Sequence, residues 1–295
     1  MDRLMRYKVW FFIFSTLIIL PGLFYLLRGG LKPGIDFTGG ALLEYRFQNP
    51  IDRTTLKQEI SLEGVEVGQV GGSGNNTYII RTKPLTAEKI TQIKKSLEKK
   101  YGYLEERRIE NVGPIVGEEL SRKAGIALAL ASLAIVLYIS FSFRKIPKPA
   151  SSWRFGITAV VALIHDVLVV VGVFAILGYF LGVEIDTLFV TALLTIIGFS
   201  VHDTIVVFDR IRENLSKIPG RNFEYITNLS IVQTIGRSLN TSLTVVFVLL
   251  ALLLFGGETI KWFVIALLIG IISGTYSSIF NATALLAWWE ERLGH

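Results

Sequence analysis

The 295 residues include no cysteine. Without thiols there is no disulfide, no thiolate zinc site, no iron–sulfur cluster and no cysteine nucleophile. That absence is silent on compartment, because a chain without cysteine sits equally well on either side of a membrane. Charge is also sparse, with Asp, Glu, Lys and Arg at 18% against 51% hydrophobic residues and a mean hydropathy of +0.52. A soluble chain of this length would form roughly two domains. Clustered apolar residues instead fit a membrane protein whose core faces lipid. The net charge of +6 could reflect nucleic acid or membrane topology, and composition alone does not separate the two.

A helical bilayer crossing takes about 20 mostly apolar residues. Six stretches qualify: Val9–Leu27, Ala124–Phe143, Phe155–Leu181, Ile185–Phe208, Leu239–Gly256 and Trp262–Trp289. The first is longer than the roughly 7–15 apolar residues of a signal peptide, and no small-x-small cleavage site follows it. Short-loop Lys and Arg set orientation. Arg3, Arg6 and Lys8 precede span 1; Arg144, Lys145, Lys148 and Arg154 lie between spans 2 and 3; Arg210, Arg212, Lys217, Arg221 and Arg237 follow span 4. The opposite loops are nearly bare, with none at Gly182–Glu184 and only Lys261 after Gly256. Both termini are therefore expected in the cytoplasm, and the long segment between spans 1 and 2 outside.

That outer segment alternates and turns like a small α+β domain. Ala41–Phe47, Val65–Val70, Thr77–Thr82 and Tyr103–Val112 read as strands, Arg53–Leu62 and Ala87–Lys100 as helices. The order β-α-β-β-α-β predicts a ferredoxin-like arrangement. Gly71–Gly74 is a hairpin turn rather than a phosphate loop, because no Lys-Ser/Thr pair follows and the next element is a strand. The expected fold is a polytopic α-helical membrane protein with six transmembrane helices and one extracytoplasmic domain. Residues 1–28 hold the first helix, 29–123 the outer domain, and 124–295 the other five helices.

Ionisable side chains inside spans are informative, since each costs about 2.5–3.5 kcal/mol at mid-bilayer. Span 3 carries His165 and Asp166, span 4 carries His202 and Asp203, and span 5 opens near Arg237. Arg237, Thr241 and Thr244 share one helix face, beside Asn240. Asp203 is expected about 7–9 Å inside the end of span 4 near Phe208, with Arg237 entering from the same side in a helix that starts upstream near Ser230. If their distance changes between two conformations, the proton affinity of the carboxyl changes with it. Adjacent His and Asp point about 100° apart, so neither pair can easily share a metal ion. Ser200, His202 and Asp203 on one helix do not form a hydrolytic triad, because His202 faces away from the other two. An intramembrane protease would use Asp166 and Asp203 as a dyad, but neither sits in a Gly-x-Gly-Asp setting. In span 6, Gly270 and Gly274, with Ser278, form a close-packing face, and Ser273, Ser277 and Asn281 a separate polar stripe.

Several of these motifs together resemble the SecD/SecF family of Sec protein-export membrane subunits. They are Gly34-Ile-Asp-Phe-Thr-Gly-Gly40, Gly113-Pro-Ile-Val-Gly117, His165-Asp166, Gly198-Phe-Ser-Val-His-Asp-Thr-Ile-Val-Val-Phe-Asp-Arg-Ile-Arg-Glu-Asn214 and Arg237-Ser-Leu-Asn-Thr-Ser242. The resemblance covers nearly the whole chain and implies half of a resistance-nodulation-division transporter. It also implies a SecD-like partner completing a pseudo-symmetric twelve-helix unit, the SecYEG channel, a translocating polypeptide, and residence in the bacterial inner membrane. Neither nucleic acid nor a cofactor is implied, the proton being the coupling ion. Asp203 and Arg237 match the family's charged residues for proton passage, and His202, Asp166 and His165 are grouped with them. Asn240, Thr241, Thr244 and Ser277 are candidate relay groups, and Asp36, Gly39 and Gly40 are expected to organise the junction of span 1 with the outer domain. Position 202 is His where the family motif is associated with Asn. Two other functional classes remain open: a small-molecule efflux half-transporter and a purely structural subunit.

Overall fold

The computed structural model describes residues 4–72, 74–144, 146 and 150–292. Arg3, Lys145 and Lys148, counted above toward orientation, and Ser73 of the glycine-rich turn lie outside the described residues. In chain order the elements are α1 (Lys8–Leu27) behind a 3-10 turn at Leu4–Tyr7, β1 (Lys32–Pro33), α2 (Ile35–Thr38), β2 (Gly40–Phe47) and α3 (Arg53–Leu62). Then come β3 (Val67–Gly72), β4 (Thr77–Thr82), α4 (Ala87–Tyr101), β5 (Leu104–Val112), α5 (Pro114–Ser142) and α6 (Ser152–Leu181). The chain closes with β6 (Glu184–Ile185), α7 (Thr187–Lys217), α8 (Phe223–Phe255), α9 (Glu258–Tyr276), a π-helical segment Ser277–Ala282 and α10 (Thr283–Glu291). These form two compact units, one of Pro33–Gly125 and one of the rest.

In the smaller unit the strands pair antiparallel in the order β3-β4-β2-β5. Alternation along β2 buries Leu43, Tyr45 and Phe47 against Leu56 and Ile60 of α3 and Ile93 and Leu97 of α4. Asp52 starts α3 by accepting the amides of Thr54 and Thr55 at 2.9 and 3.0 Å, and Thr86 starts α4 by accepting that of Lys89. Such caps satisfy amides that a helix N-terminus otherwise leaves open. The turn between β3 and β4 is made by Gly74, Asn75 and Asn76, all at positive φ. At the start of the unit, α2 carries Asp36 and ends at Gly39 and Gly40, both with positive φ. A Cβ on Gly39 would stand 2.9 Å from Pro114 Cα, and one on Gly117 2.8 Å from Gly39 N. The paired glycines therefore let the α2 turn lie directly on the first turn of α5.

Among the described residues six helices are long and apolar enough to cross a membrane: Leu4–Leu27, Pro114–Ser142, Ser152–Leu181, Thr187–Lys217, Phe223–Phe255 and Thr259–Glu291. Small residues set their closest approaches. A Cβ on Gly22 of α1 would lie 2.6 Å from Gly172 Cα on α6, and one on Gly270 of α9 would overlap Ile196 of α7.

Two expectations about the spans change. The fifth helix begins at Phe223, about two turns before the start expected near Ser230, and Thr227, Ser230 and Thr234 turn their hydroxyls back onto carbonyls one turn earlier. A hydropathy reading counts these residues as polar, whereas the helix satisfies them internally. The sixth span is interrupted by the π segment, in which Ser277 and Ser278 are both fully buried.

Candidate functional site

Asp166 lies in the middle of α6 and Asp203 in the middle of α7, each about 21 Å from the nearer helix end at 1.5 Å per residue. Asp203 is thus deeper along its helix than the expectation based on Phe208, because α7 continues to Lys217. Both residues are 1% exposed. An ionisable group buried at this depth needs polar partners from neighbouring helices.

Asp166 has four. Ser200 of α7 donates to Oδ2, joined there by Ser277 at 2.8 Å, while Ser273 of α9 reaches Oδ1 at 3.2 Å. The fourth is His165 Nδ1, 3.0 Å from Oδ1. Adjacent residues on a helix diverge at Cβ, but the imidazole is long enough to bend back. Gly274 keeps the space open: a Cβ there would lie 3.4 Å from Asp166 Oδ2 and 3.2 Å from Ser200 Cβ.

Asp203 is held differently. Ser242 of α8 and Thr275 of α9 each lie 3.3 Å from Oδ2 and 2.6 Å from one another. Two hydroxyls carry two hydrogens, so only two of those three contacts can be donated at once. Between the two carboxylates, Thr204 and Ser278 share a hydrogen bond of 2.7 Å, and Ser278 donates to the Ser200 carbonyl at 3.1 Å. The segment from Ser273 to Ser278 therefore touches both acids. No hydrogen bond joins Asp166 to Asp203 among the described residues, which leaves the protease dyad without its shared proton.

Arg237 is not beside Asp203. It lies on the exposed face of α8 and makes no ion pair among the described residues, so this conformation holds no Asp203–Arg237 pair. Asn240 and Thr244 are exposed with it; Thr241, half-buried, bonds the Arg237 carbonyl and Thr244 the Thr241 carbonyl. None of the three approaches Asp203 as a relay. The buried face of α8 is instead Ser230, Thr234, Ser238 and Ser242, at intervals of four. Ser238 stands one position after Arg237, which on a helix is about 100° round. His202 is exposed, about 100° round α7 from Asp203. Ser277 does reach a carboxylate, that of Asp166 rather than Asp203. Ser242, Thr275 and Thr204 are site residues that a search for charges passes over; Ser242 is signalled by the run of hydroxyls at spacing four on α8 and Thr204 by Ser200 one turn earlier, while Thr275 has no such signal.

Six membrane-length helices with two carboxylates buried between them define a polytopic membrane protein with ionisable groups in its helical core, the arrangement of transporters and ion-coupled machines. The description "Protein export membrane protein SecD/SecF, C-terminal" matches residues 92–292, and "SecD/SecF GG Motif" matches residues 24–51, which include Asp36, Gly39 and Gly40. The chain belongs to the SecD/SecF family. It is 50% identical to the protein translocase subunit SecF of Thermobaculum terrenum, over 99% of this chain and 95% of that one. It is also 36% identical to the protein translocase subunit SecDF of Bacillus subtilis, over 97% of this chain but 38% of that longer protein. The crystal structure of SecDF from Thermus thermophilus, described as a translocon-associated membrane protein, superposes with a TM-score of 0.86 at 32% identity, covering 98% of this chain and 38% of that one.

Proposed function

We propose that this chain is a protein translocase subunit that uses the proton gradient across the bacterial inner membrane to promote protein export. The observation that carries this reading is the pair of acids, Asp166 and Asp203, buried near the middle of their helices and bonded from one helix segment, Ser273–Ser278. In such a site protonation of either acid rearranges hydroxyls on the same helix, so proton binding is converted into helix movement. One charge crossing the membrane yields about 2.3 kcal/mol per 100 mV, enough to shift a two-state equilibrium severalfold or more. No chemical reaction is assigned to the chain.

Asp203 is the proton acceptor in this reading, and Arg237 becomes its partner in another conformation or faces the acid of a second subunit. Support for a second subunit comes from the exposed polar face formed by His202, Arg237, Asn240 and Thr244. A guanidinium at that depth is costly against lipid, and a covering helix bundle removes the cost. A SecD-like half, separate or fused as in the longer relatives, has the right chemistry if it offers a carboxylate there. The Pro33–Gly125 unit has the strand order of a ferredoxin-like domain, and loop charges favour an extracytoplasmic position with both termini in the cytoplasm. Contacts with SecYEG and with the moving polypeptide belong to the same proposal.

Export of a reporter precursor into membrane vesicles, with and without a proton gradient, tests the reading. Asp203→Asn is expected to abolish the gradient-dependent increment. A normal increment would remove Asp203 from the coupling path.

A further inference from the structure

A cavity of about 320 Å³ lies where α1 crosses α6 beside the π segment. Its wall is apolar apart from Ser15, Thr16, Thr158, His165 and Asn281. His165 is 12% exposed, and the cavity is where that edge is open. From this edge a chain of hydrogen bonds runs inward. Asn281 Nδ2 lies 2.6 Å from Ser15 Oγ and 3.2 Å from His165 Nε2, and His165 Nδ1 lies 3.0 Å from Asp166 Oδ1. These contacts require the neutral imidazole to carry its hydrogen on Nδ1, donating to Asp166, and to accept from Asn281 at Nε2.

Asn281 is itself 7% exposed, and its Oδ1 has no hydrogen-bond partner among the described residues. A buried carbonyl oxygen without a donor is costly. A half-turn of the amide would place Oδ1 against Ser15 and His165 Nε2. Ser15, which now accepts from Nδ2, would donate to Oδ1, but Nε2 can donate only after it has gained a proton.

We propose that His165 passes protons between water in this cavity and the Asp166 carboxylate, with Asn281 turning its amide to match the protonation state of the ring. This rests on the proton-coupled reading and adds the entry route to it. In the step, a water-borne proton bonds to Nε2 as the Nδ1–H bond breaks and its proton passes to Asp166 Oδ1. One proton enters, the carboxylate becomes a carboxylic acid, and the ring is left neutral with its hydrogen on Nε2. Exchange through water, which takes the proton from Nε2 and returns one to Nδ1, then restores the starting tautomer.

The neighbourhood suits this transfer. α7 brings Ser200 to the acid, α9 and the π segment bring Ser273, Ser277 and Asn281, and α1 brings Ser15. The Tyr276 hydroxyl is engaged by the Phe11 carbonyl at 3.0 Å. Among the described residues Asp166 is the one charged group in hydrogen-bond reach of the ring, and the Arg154–Glu290 pair lies about 16 Å away along α6. The polar end, with Ser15, Thr16, Thr158, His165 and Asn281, offers a water the partners it needs.

The test uses the chain assembled with its SecD-like partner and the translocon in vesicles, following gradient-dependent export from about pH 6 to 9. His165→Gln, which keeps hydrogen bonding but cannot relay, is expected to lower the gradient-dependent increment about tenfold and flatten its pH profile. In His165→Ala, added imidazole is expected to restore the increment in a dose-dependent way, a rescue that a merely structural histidine would not show. A wild-type increment and profile in His165→Gln, with the increment lost in Asp203→Asn, would overturn the relay and leave proton coupling standing. Full increments in both variants would overturn both. Because the chain has no cysteine, Thr16→Cys reports on the cavity directly. Modification by a charged, membrane-impermeant thiol reagent is expected, and an unreactive thiol would overturn the cavity as the source of protons.

Discussion

Asp166 and Asp203 differ in how their oxygens are used. Asp166 gathers three serine hydroxyls and an imidazole, whereas two hydroxyls on one oxygen serve Asp203. Asp166→Leu would leave two buried serines, Ser200 and Ser277, and the half-buried Ser273 without this acceptor, and is expected to destabilise the helical unit by about 1–3 kcal/mol. Asp166→Asn keeps an acceptor and should cost clearly less. Thermal unfolding of the two variants in detergent checks the order; equal losses would mean the serines find other partners. At this scale the acids and His165 are legible from the chain, because a charge within an apolar run stands out. Their partners are not, since serine and threonine are common in membrane helices and bond carbonyls of their own helix as readily as a carboxylate. Arg237 drew attention by its charge, and the residue that matters to Asp203 in this conformation, Ser242, follows five positions later on another face.

Helix contacts in the larger unit depend on glycine. With Gly22 and Gly172 touching backbone to backbone, Gly172→Ala would place a methyl 2.9 Å from Gly22 Cα. The expected loss is about 1–3 kcal/mol of stability as α1 is pushed from α6. Gly198→Ala, where an added Cβ meets nothing within 4 Å, should be neutral or stabilising. Unfolding midpoints that fail to separate these two variants would contradict the close contact. In the smaller unit, α3 depends on its first turn. The amides of Thr55 and Thr54 hold the Asp52 carboxyl below its usual range. A lowered folded value means the cap contributes fully above the unfolded value and is lost as pH falls through the lowered one. The amide resonances of Thr54 and Thr55 should therefore titrate at a pH below that of an ordinary aspartate, and Asp52→Asn should abolish that transition. Strands and helices of this unit are legible because periods of two and 3.6 alternate with glycine-rich turns. The beginning of α8 and the π segment are not, since hydropathy sees neither internal hydroxyl bonding nor a one-residue change of helical pitch.

For the molecule as a whole, the exposed row His202, Arg237, Asn240 and Thr244 requires a covering surface, which the SecD-like half supplies in our reading. A single Asn240→Cys in this cysteine-free chain is expected to cross-link to a cysteine placed in the membrane helices of that half, and a thiol that reacts only with lipid-phase reagents would contradict the placement. The central claim is that buried acids of this chain carry protons. Its most direct test is proton flux, read with a pH dye trapped in liposomes that hold the assembled complex and an engaged precursor. Wild-type protein should conduct protons down an imposed gradient, and Asp203→Asn should reduce the flux to the level of empty liposomes. Equal flux through both would contradict the account.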